Sequence, residues 1–459
     1  MPPLPAEIFK AYDIRGIVGP RFNVDIVHQI GLALAAEARE RQQTCCAVGR
    51  DGRLSSPALS AALIEGLNRG GIDVIDLGMV PTPVSYFAAH HLGCHNCVAV
   101  TGSHNPPEYN GLKLVLAGET LGGPRIQALR QRIEAGALPE PGGGQCQNLD
   151  IAPAYLQRIL GDVKLARPLR VALDCGNGVA GPLAQALFAG LGCTLLPLYC
   201  DIDGHFPHHH PDPSRPENLR ALQAVLREGR ADIGLAFDGD GDRLWVVAAD
   251  GSVIYPDRLL MLFAADVLSR VPGGEVIYDV KSTRLLAPWL RQHGGRPLLW
   301  KTGHSLAKLK LKEVGAPLAG ELSGHFIFGE RWYGFDDGLY AGARLLEILA
   351  RHPDPGALLA ALPQAHSTPE IQIPLAEGES GNLVAQLLAL PPLPGEVERF
   401  TLDGLRIDFA DGFGLVRASN TTPMLTLRFE GDTPAALARI QALFRAQLAQ
   451  LLPTRALGF

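Results

Sequence analysis

The strongest constraint on this chain is a rhythm. Short apolar runs, each closed by a loop rich in Gly, Pro or Ser, alternate with helical patterns, and the alternation restarts twice. Strands that alternate with helices build layered α/β units around a largely parallel sheet. In the first third, runs 45–48, 73–77 and 97–100 read as strands. Ser56-Pro57 combines an N-cap with a first-turn proline, a helical pattern runs to Arg69, and Gly70-Gly71 stops it. The Gly/Pro-rich stretch 136–144 reads as a domain junction. The second round has a strand at 169–173, a Gly-rich turn at 174–181, a helix at 182–191, a helix at 218–228 and a strand at 233–237. A hairpin of 244–248 and 252–254 then turns on Asp250-Gly251. Helix 256–270 leads into a third round, with strands at 276–280, 298–301 and 318–320, helices at 285–292 and 306–314, and a long helix at 337–350. From Pro369 strand-like segments (371–373, 400–402, 405–409, 425–429) cluster before a terminal helix at 433–452, which reads as a smaller α+β unit. The expected fold is three α/β domains (1–150, 151–255 and 256–367) followed by an α+β domain (368–459).

Composition narrows the function. Of 459 residues, 47% are apolar and 19% charged, enough for several cores and too little charge for a disordered chain. The net charge is −6 and no long basic run occurs, so nucleic acid is not an expected partner. Run 259–265 is too short to span a bilayer and residues 1–10 lack the signature of a signal peptide, so a cytoplasmic protein is expected. The eight cysteines, Cys45, Cys46, Cys94, Cys97, Cys146, Cys175, Cys193 and Cys200, do not tile the chain as a disulfide framework would; buried, reduced thiols are expected.

Four loops, about one per unit, have compositions that suit chemistry. In Thr101-Gly102-Ser103-His104-Asn105-Pro106 a tight turn after a strand exposes the Ser103 hydroxyl, with His104 and Asn105 beside it and Lys113 further on. Asp238-Gly239-Asp240-Gly241-Asp242-Arg243 sets three carboxylates at alternate positions between glycines. They repel one another unless a cation sits among them, and oxygen ligands favour Mg²⁺ or Ca²⁺. An EF-hand would need Gly and Glu where the chain has Arg243 and Ala249, so that reading fails. In Gly320-Glu321-Leu322-Ser323-Gly324-His325, an acceptor and a hydroxyl two residues apart on an extended segment face the same way and suit adjacent sugar hydroxyls. Arg417-Ala418-Ser419-Asn420-Thr421-Thr422-Pro423, with Arg428 beyond it, suits a phosphate dianion. Taken singly, the first, third and fourth loops also fit ordinary polar turns. His304, after Lys301-Thr302-Gly303, is an acid/base candidate. His208-His209-His210 lies between prolines in an extended loop, where consecutive histidines cannot share one face. Asp174-Cys175-Gly176-Asn177-Gly178 lacks the full dinucleotide-binding pattern.

Together and in this order, TGSHNP, DGDGDR, GELSGH and RASNTTP resemble the α-D-phosphohexomutase superfamily, most closely its bacterial phosphomannomutase/phosphoglucomutase branch. Phe9-Lys10-Ala11-Tyr12-Asp13-Ile14-Arg15-Gly16 and His209-His210-Pro211-Asp212-Pro213 match as well, so the resemblance spans the chain. It implies three similar mixed-sheet α/β domains and a C-terminal α+β domain around a central cleft. It also implies transfer of a phosphoryl group between carbons 1 and 6 of a hexose, through a phosphoserine at Ser103 and a hexose 1,6-bisphosphate, with glucose or mannose 1,6-bisphosphate as activator. By the same resemblance Mg²⁺ is held by Asp238, Asp240, Asp242 and Ser103. Arg15, Arg243 and His104 lie beside the reacting phosphate, and Lys113 and His304 move protons. Glu321, Ser323 and His325 contact the sugar, while Tyr12, Lys281, Arg417, Ser419, Asn420, Thr421 and Arg428 hold or approach the non-reacting phosphate. The expected partners are small sugar phosphates, and the expected state is a monomer. A glucosamine phosphate mutase, a non-catalytic binder of metal or sugar phosphate, and a phosphatase are the alternatives; the preferred hexose stays open.

Overall fold

The computed structural model describes residues 4–139, 141–376, 378–419, 424–453, 455 and 457–459. Among them, four sheets follow one another along the chain. The first has seven strands, with Cys45–Arg50, Asp73–Met79 and Cys97–Val100 in parallel at its centre and Tyr109–Leu116 and Ile14–Ile17 added antiparallel at one side. The second sets Ile233–Phe237 parallel to Arg170–Asp174 and antiparallel to Leu244–Ala248. The third does the same with Leu318–Gly320, parallel to Glu275–Asp279 and antiparallel to Phe326–Phe328. The fourth sheet is wholly antiparallel and is backed by helix Pro434–Leu451, whose N-cap Thr433 accepts from Ala436 N at 3.1 Å. Central strands such as Ile233–Phe237 (IGLAF) are buried at every position because helices or neighbouring units cover both faces of the sheet.

The four loops singled out above occupy one topological position. Each joins two consecutive strands that pair antiparallel: Cys97–Val100 with Tyr109–Leu116, Ile233–Phe237 with Leu244–Ala248, Leu318–Gly320 with Phe326–Phe328, and Gly412–Ala418 with Met424–Gly431. In the first three sheets the entering strand is also parallel to its other neighbour, so the loop leaves from the carboxyl edge of parallel strands, where α/β sheets place ligands.

Backbone bonds bring these edges together. Thr82 N donates to Asp240 O at 3.0 Å, Leu244 N to Gly324 O at 3.0 Å and Gly338 N to Gly241 O at 3.2 Å. One buried apolar cluster runs through the first three units, from Ala47 and Ile75 to Leu346, whereas the fourth has its own core around Ile407, Leu427 and Phe444. Arg406 spans that gap, donating to Val280 O at 2.8 Å and Ser282 O at 2.7 Å.

Several expectations change. The stretch 136–144 does not lead out of the first sheet. It leads to Cys146–Asn148, which pairs parallel with Asp73–Met79, so the chain leaves this sheet only after Asn148. The expected helix 218–228 divides into a 3₁₀ turn, Pro216–Leu219, and a helix, Arg220–Arg227. The expected strand 400–402 lies earlier, at Glu396–Phe400. All eight cysteines are free thiols, but only Cys46, Cys97, Cys175 and Cys200 are buried, and Cys146 is exposed. No helix among the described residues is long and apolar enough to cross a membrane.

Candidate active site

Ser103 sits in the left-handed region at φ 50°, which side-chain-bearing residues seldom adopt. Its N–H donates to Thr101 Oγ1 at 2.8 Å, and its hydroxyl donates to Asp238 Oδ2 at 3.0 Å and lies 3.1 Å from His104 Nδ1. The turn thus delivers the Ser103 hydroxyl into the acidic loop of the second domain. Arg15 stands beside it, 2.6 Å from Asp13 and donating to Asn105 Oδ1 at 2.5 Å. Burial, together with Arg243, Arg15 and Lys113, holds His104 well below the ordinary histidine range, so it is neutral.

Asp238, Asp240 and Asp242 are fully buried and offer oxygens that all lie within 4.8 Å of one another. Burial and the other two carboxylates push Asp238 far above the usual range, and burial and Asp240 raise Asp242. Asp240 moves the other way: burial opposes its charge, but Lys113 outweighs burial and holds it below the usual range. Lys113 Nζ donates to Asp240 Oδ2 at 2.7 Å and to Asp242 Oδ2. Burial disfavours the ammonium, yet these carboxylates raise it above the ordinary lysine range. Lys113, expected to move a proton, is thus protonated in these contacts, the form that can donate one. Asp240 Oδ1 and Asp242 Oδ1 are buried with no hydrogen-bond partner among the described residues. Three convergent carboxylates with free buried oxygens fit a hard divalent cation.

Arg243 links this loop to the third domain. Its Nε donates to His325 Nε2 at 3.0 Å and lies 3.7 Å from Asp238 Oδ2. His325 Nδ1 and His304 Nδ1 lie 3.0 and 3.2 Å from Asp336 Oδ2, and Lys308 Nζ donates to Asp336 Oδ1 at 2.7 Å. Burial, with Lys308 nearby, keeps His304 well below the ordinary range despite Asp336. The Tyr12 ring meets His304 edge-on at 5.6 Å. Asp336 was absent from the sequence reading. Its one signal was a pair of acids, Asp336-Asp337, just before a helix, and this also fits a helix cap, the role Asp337 takes.

Glu321 and Ser323 do face each other, with Ser323 Oγ donating to Glu321 Oε2 at 3.1 Å. They do so in a turn, however, and not on an extended segment. Gly303 N donates to Glu321 Oε1 at 2.6 Å, and burial raises the Glu321 pKa.

At the mouth of the fourth domain, Arg417 Nε donates to Asp403 Oδ2 at 3.1 Å, and its buried Nη2 has no partner among the described residues. Arg428 is turned to the third domain, donating to Lys281 O at 2.6 Å and lying 3.2 Å from Asp257. Lys281 Nζ is 2.9 Å from Glu370. Ser419 N donates to Met424 O at 2.9 Å, while Asn420 and Thr421 lie outside the described residues.

Comparison with known proteins places relatives along the whole chain. Family models for phosphoglucomutase/phosphomannomutase match in succession: alpha/beta/alpha domain I at residues 6–140, domain II at 153–251, domain III at 255–366 and the C-terminal domain at 370–447. The chain is 54% identical over 448 residues to a phosphomannomutase/phosphoglucomutase of Pseudomonas aeruginosa, covering 97% of this chain and 96% of that protein. It is 55% identical over 442 residues to a phosphoglucomutase of Neisseria gonorrhoeae, covering 96% of each. A crystal structure of a phosphoglucomutase/phosphomannomutase family protein from Burkholderia thailandensis superposes with a TM-score of 0.94 at 55% identity, over 99% of this chain and 100% of that one. A Thermus thermophilus structure described as a putative phosphomannomutase shares the fold at 24% identity, with a TM-score of 0.79 over 97% of this chain and 99% of that one. With all four domains matched in order along the chain, it belongs to the phosphoglucomutase/phosphomannomutase family.

Proposed function

We propose that this chain is a mutase that interconverts hexose 1-phosphate and hexose 6-phosphate, of mannose, glucose or both, with Ser103 as the phosphoryl carrier. The observation that carries this reading is the Ser103 hydroxyl, held on a strained turn and 3.0 Å from the first carboxylate of the acidic loop. In the first half-reaction the P–O bond to Ser103 Oγ breaks and a P–O bond forms to the free sugar hydroxyl, giving a hexose 1,6-bisphosphate. The hydroxyl proton passes to a base, for which His304, neutral in its buried setting, is suited. After the bisphosphate turns end for end, the second half-reaction returns the other phosphoryl group to Ser103 and the proton to the sugar oxygen. Water takes no part.

Such a transfer depends on neutralising the charge on the phosphoryl oxygens. Asp238, Asp240, Asp242 and a Ser103 oxygen would hold Mg²⁺, which when bound supplies that neutralisation. Arg15 and Arg243 add fixed positive charge. Glu321 and Ser323 bind sugar hydroxyls, and Arg417 takes the phosphate that is not reacting, so binding energy remote from the chemistry orients the reacting end. The relatives named phosphomannomutase/phosphoglucomutase support the choice of sugars.

Intact-mass measurement of active enzyme should find one phosphate per chain, located on Ser103. Ser103→Ala should fold but lose turnover of glucose 1-phosphate and mannose 1-phosphate, even with glucose 1,6-bisphosphate present. An unphosphorylated wild type that turns over fully, or an active Ser103→Ala, overturns the proposal.

A further inference from the structure

We infer that Arg53 is the positioning residue that sets the strained turn of Ser103, acting through the backbone. The inference rests on the reading of Ser103 as phosphoryl carrier. Arg53 follows the second strand of the first sheet, 50 residues before Ser103, and its side chain is fully buried. A guanidinium has five N–H donors in a fixed planar fork. Here each has an acceptor. Nη1 donates to Pro106 O at 2.5 Å and Tyr109 O at 3.0 Å, Nη2 to Ser103 O at 2.8 Å and Asn105 O at 2.6 Å, and Nε to Asp51 Oδ2 at 3.1 Å. Four carbonyls between Ser103 and Tyr109 are thus gathered around one guanidinium.

Asp51 completes the clamp. It balances the charge and accepts from Thr101 Oγ1 at 2.8 Å and Gly102 N at 3.1 Å. Thr101 Oγ1 in turn accepts from Ser103 N. Ser103 is therefore held at its N–H through Thr101 and at its C=O by Arg53, which fixes the chain on both sides of the strained Cα. Gly102 must be glycine because a Cβ there would lie 2.5 Å from Arg53 Cζ. The guanidinium also lies over Phe206 of the second domain, 5.2 Å from the ring centroid, so the serine loop is registered against the domain that carries the acidic loop.

With every donor committed to the protein, Arg53 has none left for a phosphate. Its loss should move the Ser103 oxygen without touching substrate binding. Lysine has three donors on a point charge and cannot serve four carbonyls at once. A displacement near 1 Å at a reacting atom costs about 100-fold in rate.

The test compares wild type, Arg53→Lys and Thr101→Val, the last of which keeps the side-chain shape but deletes the hydroxyl between Asp51 and Ser103 N. Steady-state kinetics are paired with the single-turnover rate at which glucose 1,6-bisphosphate phosphorylates Ser103. Folded variants should lose about 10- to 100-fold in kcat and in that rate, with KM within about threefold of wild type. A folded Arg53→Lys that transfers at the wild-type rate, or one whose loss lies only in KM or in thermal stability, overturns the inference. If Arg53→Lys does not fold, Thr101→Val decides by the same criteria. Wild type that carries no phosphate on Ser103 defeats the carrier reading itself, and this is separable from variants that accept phosphate normally.

Discussion

His304 and His325 lie ring on ring, centroids 5.1 Å apart and planes 18° from parallel, and both turn Nδ1 toward the same carboxylate oxygen of Asp336. Burial opposes charge on Asp336, but the Lys308 ammonium, helped by contacts from the two imidazoles, outweighs it and keeps the carboxylate ionised. One anion therefore orients two imidazoles, one beside Arg243 and the other beside Tyr12. Asp336→Asn should keep the volume and remove that orientation, lowering kcat by about 100-fold, the lower end of what loss of acid/base assistance costs. Steady-state kinetics check this, and an unchanged kcat would leave Asp336 as packing only.

The acidic loop predicts a pH-dependent metal affinity. Burial and neighbouring carboxylates, Asp240 foremost, push Asp238 and Asp242 up, so a cation must displace protons to bind. Affinity for Mg²⁺ should rise with pH, and turnover should vanish in excess chelator and return with Mg²⁺. Asp240→Asn removes one of three charges and should weaken binding at every pH. Calorimetric titration of metal-free protein with Mg²⁺ measures both effects; full activity in metal-free, chelated enzyme would contradict the assignment.

Glu321→Ala should damage the use of glucose and mannose phosphates in parallel. The two sugars differ only at carbon 2, and the Glu321–Ser323 pair is assigned to hydroxyls they share. Strong discrimination requires a buried polar partner left unpaired by the wrong sugar. The check is kcat/KM for both sugars in wild type and variant. A wild-type preference above about 1,000-fold would reveal a dedicated carbon-2 contact.

Asp337 caps helix Gly338–Arg351, accepting from Tyr340 N at 2.9 Å and from Tyr155 Oη at 2.9 and 3.0 Å. Burial pushes its carboxyl up to about 7. An unfolded aspartate titrates near 3.9, so between about pH 4 and pH 7 the folded state holds more protons than the unfolded one, and stability attributable to this group falls as pH rises through that window. Asp337→Asn keeps the capping oxygen and removes the charge. It should raise Tm relative to wild type at pH 8 and change it little at pH 4, as thermal unfolding at the two pH values would show. An equal shift at both would mean that the charge plays no part.

The class of fold and the residue types of the four loops are legible in the sequence alone. Short apolar runs bounded by Gly or Pro and alternating with helical patterns fit strands buried in a layered α/β sheet. DGDGDR declares a cation site through its own composition, since three close carboxylates cannot share a buried turn without positive charge. These are local properties, and they are legible within a few residues.

Where charges and strain end up emerges only on folding, because that depends on partners far apart in sequence. Lys113 is paired with the acidic loop because strand Tyr109–Leu116 carries it to carboxylates 127 and 129 residues away. Asp336 becomes the hub of two histidines because the turn at His325 and the first turn of helix His304–Val314 converge on it. Ser103 is strained because its neighbours are tied to Asp51 and Arg53, whose side chains gave no sign of that task in an ordinary Asp-Gly-Arg turn. Glu321 and Ser323 meet through the bend of a turn that no two-residue alternation describes. Electrostatic work and hydrogen-bond geometry act over a few ångströms of space, and only folding sets which residues share those ångströms.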